Sequence, residues 1–227
     1  EFAGFKMSRE NRGSRIMEQI DILRKAWSSP RFSFKGKYYE YSDLSVTPKP
    51  VQKPHPPIWV GASGRLMIRR TAKNGLPLVA SPRHHVSELK NHYQIYKEAL
   101  KESGKTVEEL PVIRYAYVAE TQQKAEADAR DPVVYIEKDL YGAWAKWREL
   151  RDDKGQLVQD KQAVTFETHR ERFLIGTPEF CVREIEKYRR ELGMNHLICW
   201  THMPGLSHEK AMKSIRLFAK EVMPQFR

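Results

Sequence analysis

Short apolar runs and segments with helical periodicity alternate along most of this chain, and that alternation limits the folds open to it. The apolar runs are residues 58–61, 76–80, 112–118 and 196–201. Parallel strands need long crossover connections, usually helices, so the pattern predicts an α/β fold with a parallel sheet and right-handed crossovers. No Gly-x-Gly-x-x-Gly dinucleotide fingerprint occurs. Four strand–helix units are half of a (β/α)8 barrel, so we expect the C-terminal portion of such a barrel.

Helical periodicity predicts the elements between these runs. Helices are expected over residues 8–28, 65–74, 86–103 and 121–147, from Thr177 onward, and over 207–223. Alternating residues around Lys35-Gly36-Lys37 predict a hairpin. The proline-rich stretch 47–57 fits a linker or an extended lead-in to the first strand, and we favour the lead-in because proline fixes φ.

The chain begins at Glu1 without an initiator methionine and enters a predicted helix almost at once. We therefore expect part of a larger α/β enzyme, with some functional residues upstream of Glu1. Residues 1–227 are treated as a single domain, in which the charged stretch 148–172 is an irregular insert.

Composition narrows the class of protein and its partners. With 40% hydrophobic residues the chain suits a globular protein, and no apolar run approaches the roughly 20 residues needed to cross a bilayer. The formal charge of +11 is dispersed among 29 acidic residues, so we predict no nucleic-acid partner. Cys181 and Cys199 are expected to be free thiols in a cytoplasmic protein.

The turn that follows the first apolar run is the best candidate for a ligand site. It reads Gly61-Ala62-Ser63-Gly64-Arg65 and passes from a predicted strand into a predicted helix. Small residues let backbone amides approach an anion, Ser63 offers a hydroxyl, and Arg65 offers a charge beside the helix dipole. The turn therefore fits a phosphate site, although an ordinary tight turn with a capping Ser63 remains open.

Two histidines near other strand ends are weaker candidates. His84 follows the second run and His202 follows the fourth, and each is interpreted either as a pocket residue or as an exposed loop residue. The pair His84-His85 lacks acidic or cysteine partners at ligand spacing, so we predict no metal site. No set of catalytic side chains is visible, and the catalytic residues stay unknown. This suits an enzyme whose chemistry belongs to an organic cofactor.

The order of motifs resembles the bacterial luciferase-like, flavin-dependent monooxygenase family over essentially the whole chain. The motifs that carry the resemblance are Arg15-x-x-Glu18, Ile22-Leu23-Arg24-x-x-Trp27, Phe34-x-Gly36-x-Tyr38-Tyr39, Pro48-x-Pro50-x-Gln52, Pro56-Pro57-Ile58-Trp59-Val60-Gly61, Gly176-Thr177-Pro178-Glu179, His196-Leu197-Ile198, and Leu217 through Pro224. The resemblance implies a TIM-like barrel, usually dimeric, whose last four strands this chain carries.

The resemblance also implies a cofactor and a reaction. Family members bind reduced FMN, or in some branches a deazaflavin, and reduced flavin with O₂ forms a C4a-peroxide that oxygenates a small organic substrate. No reductase motif occurs in the chain, so reduced flavin would come from a separate flavin reductase.

Carried over residue by residue, the resemblance assigns a set of cofactor contacts. Ser63 with the neighbouring amides of the turn would hold the phosphate, helped by Arg12 or Arg15, between which the resemblance does not choose. Val60 would lie beside the isoalloxazine, and Ser81 would lie at the next strand end. Pro82 stands where the luciferase branch has a Trp. The implied cofactor-binding set is therefore Val60, Ala62, Ser63, Gly64, Arg65, Ser81, Arg12 and Arg15.

Two other functions stay open at this point. One is a non-catalytic flavin-binding or scaffold protein, in which a shortened barrel is stabilised by homodimerisation. The other is a deazaflavin-dependent reductase or dehydrogenase of the same fold.

Overall fold

The structure is a computed structural model that describes residues 2–142 and 146–226. The chain separates into two compact units, Glu1–Ile58 and Trp59–Arg227. Among the described residues, none of the helices could span a lipid bilayer. The single-domain interpretation of 1–227 stays a prediction.

The first unit contains one helix and the predicted hairpin. Helix α1 spans Arg12–Ser28, and strands β1 (Phe32–Lys35) and β2 (Glu40–Leu44) pair antiparallel. The carboxylate of Glu18 accepts the backbone N–H groups of Lys37 and Tyr38 at 2.8 and 3.0 Å, which ties the helix to the hairpin turn. The hairpin prediction is confirmed.

The second unit alternates strands and helices. Its strands are β3 (Val60–Gly61), β4 (Leu78–Val79), β5 (Pro111–Val118), β6 (Phe173–Gly176) and β7 (His196–Trp200). Its α-helices are α2 (Arg65–Lys73), α3 (Val86–Ser103), α4 (Gln122–Tyr135), α5 (Pro178–Leu192) and α6 (His208–Leu217). A π-helical turn, Ile136–Leu140, extends α4, and another, Phe218–Val222, extends α6.

Every pairing between named strands in this unit is parallel, as the alternation predicted. β3 pairs with β4, and β5 lies between β6 and β7. A parallel bridge from Ala80 to Val112 joins the end of β4 to the start of β5. The carboxyl ends of these strands therefore point the same way, which is the arrangement that places ligand sites at one edge of a parallel sheet.

The central strand β5 separates two apolar layers because successive side chains point to opposite faces. Val112, Ala116 and Val118 pack with α3 and α5. Tyr115 and Tyr117 belong to the opposite cluster, which includes buried residues of α4, β6 and α6. Burying both faces accounts for the nearly continuous apolar character of this strand.

The structure corrects two parts of the sequence analysis. A fifth parallel strand, Phe173–Gly176, precedes the helix that begins after Thr177. Because its four residues follow a highly charged stretch, the alternation alone did not reveal it. The helix expected over 121–147 is shorter, since α4 ends at Tyr135 and the π-helical turn ends at Leu140. Residues 143–145 of that expectation lie outside the described residues.

The stretch 148–172 contains short 3-10 turns and one isolated antiparallel bridge, Arg151 with Leu157. Its designation as an insert stays a prediction. Cys181 and Cys199 are both free, and burial raises the pKa of Cys181 to about 12. This thiol is therefore protonated at neutral pH.

Candidate functional site

The N-terminus of α2 lies directly after β3 and has no side-chain cap. Gly64 flanks the helix in an extended conformation, with φ −79° and ψ 133°, and no side-chain hydrogen bond closes the first turn. Ser63 therefore does not cap α2, and the assignment of this turn as a phosphate site stays a prediction. No acidic residue occupies the first turn, so the positive end of the helix dipole is not neutralised there.

The space and chemistry at this turn fit a phosphate. A Cβ built on Gly64 would meet no atom within 4 Å, so an anion could approach the backbone closely. Ser63 and Arg65 are both exposed. Within residues 2–142 and 146–226 neither side chain has a hydrogen-bond or ion-pair partner in the protein. A hydroxyl, a guanidinium and helix N–H groups are the donors that phosphate sites use.

The remaining residues expected at the cofactor occupy varied surroundings. Val60 is 4% exposed and pairs with Leu78, whose side chain lies in the layer packed against α2 and α3. By the strand alternation, Gly61 and its partner Val79 face the other side of the sheet. Ala62 and Ser81 are half-buried at the ends of β3 and β4.

The two candidate arginines of the first unit also differ. Arg12 is exposed at the start of α1. Arg15 is half-buried, with its guanidinium carbon 5.5 Å from the centroid of the Tyr38 ring. The Nε atom of Arg15 is buried without a hydrogen-bond acceptor among the described residues. The roles assigned to both arginines stay predictions.

A buried ion pair lies in the segment after β4. The Nε atom of Arg83 is 2.7 Å from Oε2 of Glu137, which belongs to the π-helical turn after α4. Tyr141 covers the guanidinium, with its ring centroid 4.5 Å from the guanidinium carbon. The hydroxyl of Ser81 accepts the backbone N–H of Arg83 at 3.3 Å, which fixes the start of this loop.

An aromatic surface adjoins this ion pair. The ring of Tyr115 lies 5.1 Å from that of Trp200 and 5.9 Å from that of Phe173. Burial, together with the nearby carboxylate of Glu137, raises the pKa of Tyr115. Tyr115 is therefore a neutral phenol at neutral pH, in largely apolar surroundings beside a charged pair.

His84 and His202, the two weak catalytic candidates, differ in their burial and in their contacts. His84 is half-buried against the ring of His92, with 4.7 Å between centroids. Burial, reinforced by His92 and Arg114, lowers the pKa of His84 to about 3, so the ring is neutral at physiological pH. His202 is exposed, and its backbone carbonyl accepts the indole N–H of Trp200 at 2.9 Å.

Sequence reasoning missed the buried charges beside this segment. Arg114 and Arg172 are both 0% exposed. A signal existed for Arg114, because an arginine interrupts the apolar run Val112 to Val118. Glu137 similarly follows the apolar residues Val133 and Ile136. Charged residues are almost never fully buried unless they are paired, so each of these positions indicates a special environment.

Comparison with known proteins identifies the family to which this chain is similar. Residues 1–196 match the luciferase-like monooxygenase family. The oxygenase component of flavin-dependent trigonelline monooxygenase from Acinetobacter baylyi is 25% identical over 94% of this chain and 60% of its own length. An F420-dependent glucose-6-phosphate dehydrogenase from Segniliparus rotundus is 22% identical over 96% of this chain and 62% of its own length. The chain thus spans about 60% of the length of these relatives.

Solved structures share the fold. The monooxygenase RslO1 from Streptomyces bottropensis has a TM-score of 0.77 at 19% identity, covering 100% of this chain and 65% of that chain. The oxygenating constituent of 3,6-diketocamphane monooxygenase from Pseudomonas putida, in complex with FMN, has a TM-score of 0.67 at 19% identity. It covers 96% of this chain and 64% of its own. The match over residues 1–196 establishes that this chain belongs to the luciferase-like monooxygenase family.

Proposed function

We propose that the chain is part of a flavin-dependent monooxygenase that uses reduced FMN and O₂ to oxygenate a small organic substrate. The observation that carries the proposal is the uncapped N-terminus of α2, with open space at Gly64 and donors at Ser63 and Arg65. These groups fit the phosphate of FMN. The name of the trigonelline monooxygenase relative supports a flavin and an oxygenation reaction.

Bound reduced FMN would supply the activated oxygen, and the protein would supply binding and surroundings. Ser63, Arg65 and the first amides of α2 would hold the phosphate. Trp200, half-buried and packed on the ring of Tyr115, would help to exclude water from the reacting groups. The Arg83–Glu137 pair would fix the loop after β4, whose first residue, Ser81, we propose as a further cofactor contact. No side chain of the described residues is assigned as a catalytic acid or base.

A deazaflavin-dependent dehydrogenase is the second candidate. The F420-dependent relative aligns with nearly the whole chain, and a phosphate at α2 would serve either cofactor. Because a deazaflavin transfers hydride and does not activate O₂, the two candidates predict different reactions for one binding site. Direct competition between the cofactors separates them.

We further propose that the parallel strands form the C-terminal portion of the family's barrel, within one domain that carries residues 148–172 as an insert. The fraction of the relatives' length that the chain spans supports this. A homodimer, a cytoplasmic location and a separate flavin reductase are proposed with it. The word "component" in the name of the trigonelline enzyme supports the separate reductase.

The test is a titration of the full chain with FMN, followed by quenching of flavin fluorescence. Ser63→Ala and Arg65→Ala should each weaken binding about tenfold or more, which corresponds to about 1.4 kcal/mol. Arg70→Ala is the matched control, because Arg70 lies in the last turn of the same helix. It removes the same charge away from the site and should bind FMN like the unmodified chain.

Equal affinity of all three variants would place the phosphate elsewhere and overturn this site. Competition with F420 then identifies the cofactor. Displacement of FMN only by a large excess of F420 supports the monooxygenase proposal. If F420 displaces bound FMN even when F420 is present at a lower concentration than FMN, the monooxygenase proposal is overturned in favour of the dehydrogenase.

A further inference from the structure

β4 and β6 both pair with the same edge of β5, and a short unpaired stretch of β5 separates the two pairings. β4 reaches this edge through the Ala80–Val112 bridge, and β6 begins with the Phe173–Tyr115 pair. Between these points that edge has no strand pairing in the described part of the chain. We call this gap, with the loop 81–85, Arg114 and Arg172 around it, the β4–β6 junction. It lies at the carboxyl end of β4, where ligand sites form in parallel sheets.

Arg114 extends from β5 into the junction, and one of its donor nitrogens has no hydrogen-bond acceptor among the described residues. Its Nε donates to the hydroxyl of Tyr188 at 3.0 Å, and its Nη1 donates to the carbonyl of Pro82 at 3.1 Å. The Nη2 atom is buried and has no acceptor among the described residues. Tyr188 is itself held by the carbonyl of Glu171 at 3.0 Å, so the guanidinium is fixed in this orientation.

Arg172, the residue immediately before β6, also extends into the junction, and two of its nitrogens have no hydrogen-bond acceptor among the described residues. Its Nη2 donates to the carbonyl of Arg151, whereas Nε and Nη1 are buried without acceptors in the described part of the chain. Burial lowers the pKa of Arg172 to about 10, even though Glu137 and Glu88 act to raise it. The Nδ1 atom of His84, on the loop 81–85, is also buried without a partner.

No carboxylate within the described residues forms an ion pair with Arg114 or Arg172. Glu137 pairs with Arg83 through its Oε2 atom, and Glu88 pairs with Arg151. A buried cation without a partner is costly, and buried N–H groups are normally hydrogen-bonded. Two guanidinium groups with unused donors are therefore suited to an anion that the protein itself does not provide. A planar oxyanion matches the fork of a guanidinium, and a carboxylate can take two such bonds.

We propose that the β4–β6 junction binds the carboxylate group of a small organic ligand through the unused donors of Arg114 and Arg172. The inference rests on the proposed function in one respect, namely that this ligand is the substrate. It adds the substrate class, an organic carboxylate, to that proposal. A free inorganic oxyanion has the same chemistry at the junction, and the experiment distinguishes the two sources.

The experiment measures the melting temperature of the full chain in benzoate, inorganic phosphate and chloride at equal ionic strength. We expect a concentration-dependent rise with benzoate, because a ligand that binds only the folded state stabilises it. A larger rise with phosphate than with benzoate would overturn the assignment to an organic carboxylate. An identical melting temperature in all three salts would overturn the anion site itself.

Arg172→Met separates an anion receptor from a structural arginine. An unpaired guanidinium that is buried to bind an anion destabilises the folded chain while no anion is bound. In chloride the variant should therefore melt at or above the temperature of the unmodified chain. In benzoate it should show no rise in melting temperature. Loss of folding in chloride, or a retained response to benzoate, would contradict the proposal. Arg170→Met is the matched control, since Arg170 pairs with Glu126 and should keep the response.

The same samples distinguish a failure of this inference from a failure of the proposed function. Arg172→Met should bind FMN with unchanged affinity, because Arg172 is not part of the phosphate site at α2. FMN binding without a benzoate response removes only the carboxylate site. A benzoate response without FMN binding keeps the carboxylate site and removes the flavin assignment.

Discussion

The Nε atom of Arg83 lies 2.7 Å from Oε2 of Glu137, and the two side chains are only 11% and 1% exposed. These residues are 54 positions apart in the sequence. Their pairing joins the loop after β4 to the π-helical turn after α4. Because breaking one partner of a buried pair leaves an uncompensated charge, this contact is expected to contribute strongly to stability.

Glu137→Gln should lower the free energy of unfolding by about 3 kcal/mol or more, since Arg83 would keep its buried charge without the carboxylate. Urea denaturation at pH 7 measures the change. The matched control is Glu167→Gln, which removes the exposed pair with Arg130 and should cost about 1 kcal/mol or less. Equal losses in the two variants would contradict a special contribution of the buried pair.

Gly64→Ala should weaken FMN binding while leaving the fold intact. The added methyl group would enter the open space beside the first amides of α2, where the phosphate is proposed to lie. The stability cost should be about 1 kcal/mol or less, as for other changes at a helix N-terminus. Flavin fluorescence and urea denaturation measure the two effects separately.

Thr121→Ala is the control for that experiment, because Thr121 caps α4 by accepting the backbone N–H of Lys124 at 3.2 Å. Its loss should cost about 1 kcal/mol without changing FMN affinity. If both variants bind FMN equally well, the phosphate does not approach Gly64.

Acid should destabilise the protein through His169, which is 2% exposed. Burial, reinforced by Arg172, lowers the pKa of His169 from 6.5 to about 3. Below pH 6.5 the unfolded chain therefore takes up a proton that the folded chain refuses, so stability falls as the pH drops from 6.5 toward 3. At about 1.4 kcal/mol per pH unit, this residue alone should account for about 2 kcal/mol between pH 6.5 and pH 5.

Urea denaturation at pH 7 and pH 5 tests this dependence. His169→Asn should reduce the difference between the two pH values, whatever its effect at pH 7. His208→Asn replaces an exposed histidine and should leave the difference unchanged. An unchanged difference in His169→Asn would show that the acid sensitivity arises elsewhere.

Gly176→Ala should destabilise the end of β6 by about 1–3 kcal/mol through overpacking. A Cβ at this position would lie 2.5 Å from Oε1 of Gln122 and 2.6 Å from Cδ1 of Phe180, in the first turn of α5. Replacing Phe180 by leucine in the same chain should recover part of the loss, because one of the two obstructing groups, the ring, is gone. A double-mutant cycle measures this coupling, and strictly additive losses would contradict the steric explanation.

Local patterns predicted much of the secondary structure correctly. Thr177 accepts the backbone N–H of Phe180 with Pro178 at the first helical position, as the sequence indicates. Gly104 ends α3 in the left-handed conformation at φ +62°. Caps and periodicity are properties of neighbouring residues, so they can be read without knowing the fold.

Strand β6 was missed for the opposite reason. Its residues Phe173 to Gly176 become a strand by pairing with Tyr115 to Val118, nearly sixty positions earlier in the chain. A run of four apolar residues has no periodicity that separates a strand from a helix. The partner strand supplies the hydrogen bonds that decide its conformation.

Local patterns in the sequence sufficed to identify the alternation of strands and helices, several helix caps, the family, and the turn at 61–65 as the first candidate for a phosphate. Only the folded chain reveals that Arg83 pairs with Glu137. It also reveals that Arg114 and Arg172, next to the paired residues Tyr115 and Phe173, have buried donor atoms without acceptors in the described part of the chain. Such contacts depend on burial and on distances between residues far apart in the chain. Those quantities exist only once the sheet has brought its strands together.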